Sequence, residues 1–345
     1  MAFDPGAAAL PGSGVFGLGH SEEEAAVVLV PVPFEATASY HRGSSGGPAA
    51  ILEASRQVDL FDLETGRPYQ EGIHLLAALE AVRTLDLSAR AAAAPVVAAG
   101  GVLPGRPDLA AAAAEVNAAS HALNALVEGE VGRLIGRGKR VGVLGGEHSV
   151  AFGAIAAHAR AFPGLGILQL DAHADLRRAF QGFAHSHASV FYNAMEELPG
   201  IARLVQVGLR DVCEEEVDYA KASRGRVVAF DDAALAAARF EGETFGAQVR
   251  RIVEALPEEV YLSFDIDGLD PSLCPHTGTP VPGGLGFQEA VALLRGVVRS
   301  GRRIVGFDLV EVAPGPPGQG LDGDVGARLL YKMIGWMLSS LRGRP

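Results

Sequence analysis

Cysteine is scarce in this chain of 345 residues. Only Cys213 and Cys274 occur, 61 residues apart, and they form no Cys-x-x-Cys pair. We therefore expect two buried thiols rather than a disulfide, and a reducing cytoplasm as the setting of the protein.

Positive charge and long apolar runs are also in short supply. The chain has 29 Lys and Arg against 41 Asp and Glu, a formal net charge of −12, and no basic stretch. A nucleic-acid partner is therefore not expected, whereas a cationic substrate would be attracted. Charged residues or prolines interrupt every apolar segment before 18 residues, which excludes a membrane-spanning helix. Met1 to Leu10 lacks the pattern of a signal peptide, so none is expected.

Short apolar runs that fit buried strands alternate with segments that fit amphipathic helices. The predicted strands are 27–32, 140–144, 165–170, 203–208, 226–230, 260–265 and 303–309. The predicted helices are 108–136, 149–161, 187–197, 212–222, 243–255, 286–299 and 322–340. This order predicts an α/β fold, a single three-layer α/β/α domain with a mostly parallel central sheet. Ligands of such sheets bind beyond the carboxyl ends of the strands.

The amino-terminal third contains two segments outside this alternation. Residues 1–24 show no periodicity, and they are predicted to form an N-terminal arm ahead of a domain that spans 25–345. Residues 89–105 are rich in Ala, Gly and Pro, and we expect an irregular insertion there. The helix that follows is expected to start with Asp108 as its N-cap and to bury one apolar stripe along its length.

The predicted strand 165–170 is followed directly by the run D-A-H-A-D at 171–175. Residues two apart on a strand point the same way. If the strand continued to residue 175, Asp171, His173 and Asp175 would therefore converge at its carboxyl end. Burying two negative charges costs several kcal/mol each unless a cation compensates them. The motif therefore predicts a metal site.

Two further predicted strands end in residues of the same kind. The strand 260–265 runs into Asp265 and Asp267, and the strand 140–144 runs through two glycines to His148. Together with the first motif they offer two imidazoles and four carboxylates, enough for two ions if carboxylates bridge. Imidazole and carboxylate ligands without thiolates suit Mn, with Zn, Fe or Ni compatible by ligand type alone.

Three motifs resemble the metal signatures of the ureohydrolase family: G-G-E-H-S at 145–149, D-A-H-A-D at 171–175 and S-F-D-I-D-G-L-D-P at 263–271. This family includes arginases, agmatinases and formiminoglutamases, which hydrolyse guanidino-type groups at a binuclear manganese centre. The resemblance extends from about Val28 to Leu338 and implies an arginase-like fold for the whole domain. Glu147 departs from the Asp that many members carry, and we expect this departure to matter little.

The resemblance implies a ligand set and a mechanism. His148, Asp171, Asp175 and Asp265 would hold one ion, and His173, Asp171, Asp265 and Asp267 the other, two Mn²⁺ per subunit. A hydroxide that bridges the ions, oriented by Asp175, would attack the guanidinium carbon.

Two further residues would act on the substrate. His187, in the run S-H-A-S, matches the family's histidine that protonates the departing amine, a task suited to imidazole near neutral pH. His185, two residues earlier, is the competing candidate for this role. Glu311 follows the predicted strand 303–309 and matches the family's carboxylate that binds the guanidinium through two parallel hydrogen bonds.

The substrate is less well determined by the sequence. The run D-A-H-A-D-L-R followed by G-x-x-x-S-H-A-S resembles the agmatinase branch, which implies hydrolysis of agmatine to putrescine and urea. Arg177 in this run would repel the amine of agmatine, or bind a carboxylate tail, if it faced the pocket. We expect it to point elsewhere, while arginine, guanidinobutanoate and formiminoglutamate stay open as substrates. A catalytically idle member is the other alternative, and the trimers or hexamers usual in the family imply a homo-oligomer.

Overall fold

The computed structural model describes residues 4–10 and 12–341. Residues 1–3, 11 and 342–345 lie outside this described part, although the predicted arm and the predicted domain include them. The division into an arm and a domain stays a prediction.

A single eight-stranded sheet forms the centre of the described chain. Its strands are β1 Val27–Val32, β2 Ile73–Leu75, β3 Arg140–Gly145, β4 Leu165–Leu170, β5 Ile201–Leu209, β6 Val227–Asp231, β7 Glu259–Asp265 and β8 Arg303–Val310. The spatial order is β2-β1-β3-β8-β7-β4-β5-β6, and every pairing between neighbouring strands is parallel. The predicted parallel α/β architecture is confirmed.

Ten α-helices surround the sheet in the described part of the chain. They are α1 Gly47–Ser55, α2 Glu80–Ala98, α3 Pro107–Gly136, α4 Ala151–Ala161, α5 Val190–Glu197, α6 Glu214–Ala222, α7 Asp232–Phe240, α8 Phe245–Glu254, α9 Phe287–Arg299 and α10 Leu321–Leu341. One apolar core packs α1, α7, α8, α9 and α10 against the sheet, and a second packs α2, α3, α4 and α5. Helices therefore cover both faces of the sheet, and the three layers are those predicted.

The strands have nearly continuous apolar sequences because both of their faces are buried. In β1, Val27 and Leu29 belong to the first core, whereas Val28 and Val30 belong to the second. Successive side chains point to opposite faces of a sheet, so a run without polar residues fills both cores.

The predicted strands and helices are confirmed to within about two residues at most ends. The bounds of β1 and β4 are those expected, and the stripe of α3 from Leu109 to Leu134 is buried. Helices α1 and α7 and the short strand β2 were not predicted.

The segment 89–105, predicted to be an irregular insertion, is helical over most of its length. Helix α2 continues to Ala98 with Pro95 inside it. Its buried positions, such as Val82, Ala89 and Val96, recur every three or four residues, and alanine is the best helix former. The prediction was wrong because Pro95 and the glycines after the helix were interpreted as signs of irregular structure, although the apolar pattern is helical.

Two smaller expectations also fail. Arg106, rather than Asp108, is the N-cap of α3, and Asp108 lies in the first turn, where its carboxylate pairs with Arg106. Both cysteines are free, but only Cys274 is buried and Cys213 is half-buried. Among the described helices, none combines the length and apolarity needed to cross a membrane.

Candidate active site

The carboxyl ends of three strands, β3, β4 and β7, bring the predicted ligand residues together. Asp171 follows β4 directly, Asp265 is the last residue of β7, and His148 opens a short 3₁₀ turn three residues after β3. Strand β7 lies beside β4, and β8 separates β7 from β3. Because the strands are parallel, their carboxyl ends meet at one edge.

His148 lies at the centre of a first group of ligands. Its Nδ1 atom is 3.1 Å from Asp171 Oδ2, 3.0 Å from Asp175 Oδ2 and 3.4 Å from Asp265 Oδ2. All four side chains are buried.

A second group shares one carboxylate with the first. His173 Nδ1 lies 3.1 Å from Asp267 Oδ2 and 3.6 Å from Asp171 Oδ1. In each of two groups, the possible ligand atoms lie within 4.8 Å of one another, close enough to hold a metal ion. The groups are His148–Asp171–Asp265 and Asp171–His173–Asp267, so Asp171 belongs to both.

The loop from Asp171 to Asp175 is not the continued strand that the sequence suggested. Strand β4 ends at Leu170, and Asp175 adopts φ 52°, in the left-handed region that non-glycine residues rarely occupy. The carbonyl of Asp175 accepts a hydrogen bond from the amide of Phe191 at the start of α5. A folded loop, rather than strand alternation, therefore brings the carboxylates together.

Gly268 allows β7 to approach this loop closely. A Cβ atom at Gly268 would lie 2.7 Å from the amide nitrogen of Asp171, a distance that real Cβ atoms essentially never show. The amide of Ala172 donates to Asp267 Oδ1 at 3.0 Å across the same contact. The glycine of the D-I-D-G motif thus lets the two acidic segments meet.

The tautomer of His148 is set by groups behind it. Ser263 Oγ donates to the buried carboxylate of Asp308 and lies 2.9 Å from His148 Nε2, which must then carry the proton. Nδ1 faces three carboxylates, and this buried atom has no well-aligned hydrogen-bond partner in the described chain. A cation at this point would satisfy both the imidazole and the carboxylates, so the residues fit a metal ion.

The other predicted site residues lie around one small cavity. Its volume is ≈ 140 Å³, and its lining includes the imidazoles of His148, His173 and His187 and the carboxylates of Asp175 and Glu311. His185 is not among the lining residues; its ring lies behind, where Nδ1 is 3.3 Å from Asn124 Nδ2 and 3.2 Å from Asn193 Nδ2.

A profile of the arginase family matches residues 25–335. The chain belongs to the arginase family. It is 38% identical over 314 residues to an N(1)-aminopropylagmatine ureohydrolase from Thermus thermophilus, covering 91% of this chain and 90% of that one. It is 35% identical over 210 residues to an agmatinase from Neisseria meningitidis, covering 60% and 63%.

The fold agrees with solved structures of the same family. The agmatine ureohydrolase of Thermoplasma volcanium superposes with a TM-score of 0.70 at 24% identity, covering 93% of this chain and 92% of that one. This chain is thus an arginase-family ureohydrolase, a hydrolase of guanidino C–N bonds, as the motifs predicted. The family is metal-dependent, and the two groups that share Asp171 could bind metal.

Burial and mutual charge shift the pKa values of the ligand residues strongly. Burial and the charge of Asp171 raise the pKa of Asp175 to about 7. Burial alone would lower the pKa of His173, but the charges of Asp267 and Asp171 raise it to about 12. Bound cations would take over the charge compensation that protons provide here.

The two residues expected to act on substrate are shifted in opposite directions. Burial and the charges of His173 and His148 lower the pKa of His187 to about 4. Burial and the nearby Glu147 raise the pKa of Glu311 to about 8. At neutral pH His187 is therefore neutral, and a cation is needed beside Glu311 to favour its charged form.

Arg177 does not point away from the pocket, so that expectation was wrong. It lines the cavity with Phe180, Asp211 and Glu216. Its guanidinium carbon lies 5.1 Å from the centre of the Phe180 ring, and its Nε lies 4.0 Å from Glu216 Oε2. The sequence after D-A-H-A-D does not predict the direction of the Arg177 side chain, because this segment is a loop and its side chains do not alternate as on a strand.

Proposed function

We propose that this arginase-family hydrolase cleaves the guanidino group of a guanidinoalkylamine at a binuclear manganese centre, releasing urea and the corresponding amine. N(1)-aminopropylagmatine and agmatine are the proposed substrates, in that order. The observation that carries the proposal is the pair of imidazole–carboxylate groups that share Asp171 beside one cavity. The Thermus thermophilus relative, similar over 91% of this chain, supports the order of substrates.

The metal ligands are proposed as the sequence suggested. His148, Asp171, Asp175 and Asp265 would hold one Mn²⁺, and His173, Asp171, Asp265 and Asp267 the other. The distances around His148 and His173, and the place of Asp171 in both groups, support this assignment. When bound, the two ions would lower the pKa of a coordinated water molecule and so supply a hydroxide nucleophile near neutral pH.

Glu311 is proposed to bind the guanidinium of the substrate. Its Oε1 accepts a hydrogen bond of 2.8 Å from the amide of His148, which fixes the carboxylate at the cavity wall beside the metal ligands. A guanidinium placed there would form two parallel charge-assisted hydrogen bonds. Its positive charge would also favour the ionised form of a carboxyl group whose pKa is raised to about 8.

His187 is proposed to carry a proton from the attacking water to the departing amine. The net reaction forms a C–O bond, breaks the C–N bond to the tail, and transfers both water protons to the amine nitrogen. A histidine that is neutral at rest can accept the first of these protons and then release it to the leaving group.

The charged residues that line the cavity favour a substrate with a cationic tail. Asp211 and Glu216 contribute two carboxylates against the single charge of Arg177. Glu216 is buried, and its oxygens accept hydrogen bonds from the amides of Leu176 and Cys213, so its position is fixed. The overall charge of −12 would add to this attraction at long range.

A second candidate function rests on Arg177. Because Arg177 lines the cavity, its guanidinium offers a partner for the carboxylate of guanidinobutanoate or arginine. This would make the enzyme a guanidino-acid ureohydrolase. The contact with Glu216 opposes this alternative, since part of the charge of Arg177 is already compensated.

Urea release after manganese loading tests the proposal. The panel would contain N(1)-aminopropylagmatine, agmatine, arginine, guanidinobutanoate, guanidinopropionate and guanidine, with formiminoglutamate assayed separately by release of formamide, because its carbon cannot give urea. We expect the two amine-tailed compounds to give the highest kcat/KM. Turnover of only the carboxylate-tailed compounds would contradict the proposed substrate, and no turnover of any compound by protein with two bound ions would favour the catalytically idle alternative. The cytoplasmic setting and the homo-oligomer stay predictions.

A further inference from the structure

A hydrogen-bonded chain connects Glu147 to His187 through Thr37. Thr37 Oγ1 donates to Glu147 Oε1 at 2.8 Å, and the amide of Thr37 donates to Glu147 Oε2 at 2.8 Å. Thr37 Oγ1 lies 3.1 Å from His187 Nδ1. Thr37 and Glu147 are fully buried, so these contacts do not compete with water.

The hydroxyl of Thr37 leaves one arrangement of protons. While Glu147 is ionised, the one proton of this hydroxyl is donated to Glu147, and two lone pairs remain on the oxygen. One lone pair accepts the amide N–H of His187 at 3.1 Å, and the other faces Nδ1 of the same residue. Nδ1 must therefore carry a proton, which leaves Nε2 as the ring nitrogen that exchanges protons.

The loop that carries Thr37 is itself held in place. Glu35 Oε2 accepts hydrogen bonds from the amides of Gly43 and Ser45, at 2.8 and 2.9 Å, which closes the loop. Glu35 Oε1 lies 3.2 Å from Arg90 of α2. These contacts close the loop and keep the buried Thr37 hydroxyl in one position, as a positioning group requires.

We propose that Thr37 and Glu147 are positioning residues that fix the tautomer and orientation of His187 for proton transfer. The inference rests on the proposed function, in which His187 transfers the proton. The inference gives a role to Glu147. Many family members carry Asp at this position, and from the sequence alone the difference is expected to matter little. An Asp side chain is about 1.5 Å shorter, too short to hold both atoms of Thr37 at 2.8 Å without movement.

Kinetics of matched variants test the inference. Thr37→Val removes the hydroxyl at nearly constant shape, and we expect kcat to fall about 10- to 100-fold with KM and metal content close to wild type. Thr37→Ser keeps the hydroxyl and should retain kcat within about threefold. Glu147→Asp should lower kcat with an unchanged KM. An unaltered kcat in Thr37→Val, an equal loss in Thr37→Ser, or a loss confined to KM would overturn the proposal.

A measurement on the metal-free protein separates this inference from the proposed function. In protein with ¹⁵N-labelled histidine, NMR distinguishes a protonated from an unprotonated ring nitrogen, and His187→Gln assigns the signal. We expect Nδ1 of His187 to be protonated in the wild type and in Thr37→Ser, and the tautomer to change in Thr37→Val. An unprotonated Nδ1 in the wild type would overturn the inference whatever the substrate. A wild type without ureohydrolase activity but with this tautomer would overturn the proposed function alone.

Discussion

At the scale of single residues, two carboxylates of the site belong to residues with a strained backbone. Asp175 and Glu311 have φ of 52° and 60°, conformations that cost roughly 1–3 kcal/mol each in non-glycine residues. The amide of Glu311 donates to Gly146, and its carbonyl accepts from Thr277 Oγ1, so both flanking contacts hold it in place. This conformational energy is compatible with a function that requires the two carboxylates at fixed positions in the cavity.

Replacement of the two neighbouring histidines should separate their roles. His187→Ala removes the proposed proton carrier, which lines the cavity, and should lower kcat about 10²–10⁴-fold while both ions stay bound. His185→Ala changes a residue behind the cavity and should leave kcat within a few-fold of wild type. Steady-state kinetics and metal analysis of both variants provide the check. Full activity of His187→Ala with loss in His185→Ala would transfer the role to His185.

Arg177 should affect substrate choice rather than chemistry. Because Arg177 lines the cavity, Arg177→Ala should raise kcat/KM for agmatine relative to guanidinobutanoate about tenfold, from roughly 1–2 kcal/mol of like-charge repulsion. Arg178→Ala, an exposed neighbour, is the matched control. An unchanged ratio in Arg177→Ala would mean that Arg177 does not reach the tail.

At the scale of elements, the sequence predicts the positions of strands better than the shape of the loops between them. The apolar runs of β4 and β7 end where the acidic motifs begin, so Asp171 and Asp265 could be assigned to the site directly. The contact of Thr37 with Glu147 joins residues 110 positions apart, and no local pattern encodes it. The direction of Arg177 depends on a loop whose φ values are not fixed by residue type.

Helix α2 contributes to the site indirectly, which a segment predicted to be irregular would not suggest. Arg90 lies 3.2 Å from buried Glu35, and Asp86 accepts a hydrogen bond from the Glu35 amide at 2.8 Å. Arg90→Met leaves the Glu35 carboxylate without its cation, and it should lower the free energy of unfolding by about 1–3 kcal/mol.

Urea denaturation of the metal-free protein measures this effect. Arg83→Met, an exposed change on the same helix, should alter the free energy by less than about 0.5 kcal/mol. Equal effects of the two substitutions would show that Arg90 acts as an ordinary surface residue.

At the scale of the whole molecule, stability and metal binding should depend on pH together. Without metal, Asp175 and Glu311 have pKa values raised to about 7 and 8, so their protonated forms favour the fold. The unfolded chain has lost these protons by about pH 5. The contribution of these two groups to the stability of the metal-free protein therefore falls as pH rises from about 5 to about 8. The raised pKa of His173 acts in the same direction above pH 6.5.

Metal reverses this trend because its ligands must be deprotonated. The increase in Tm on adding a fixed concentration of Mn²⁺ should therefore grow between pH 6.5 and 8. Thermal unfolding of the loaded and metal-free protein across this range measures the difference. An increase that is independent of pH would contradict the charge arrangement described for the site.

The central claim is that two metal ions share Asp171, and metal analysis of purified variants tests it most directly. We predict two manganese ions per chain in the wild type, a loss at both positions in Asp171→Ala, and retention of one ion in Asp267→Ala, since Asp267 lies only in the group around His173. Elemental analysis after loading and desalting gives these numbers. Two ions per chain in Asp171→Ala would contradict the account.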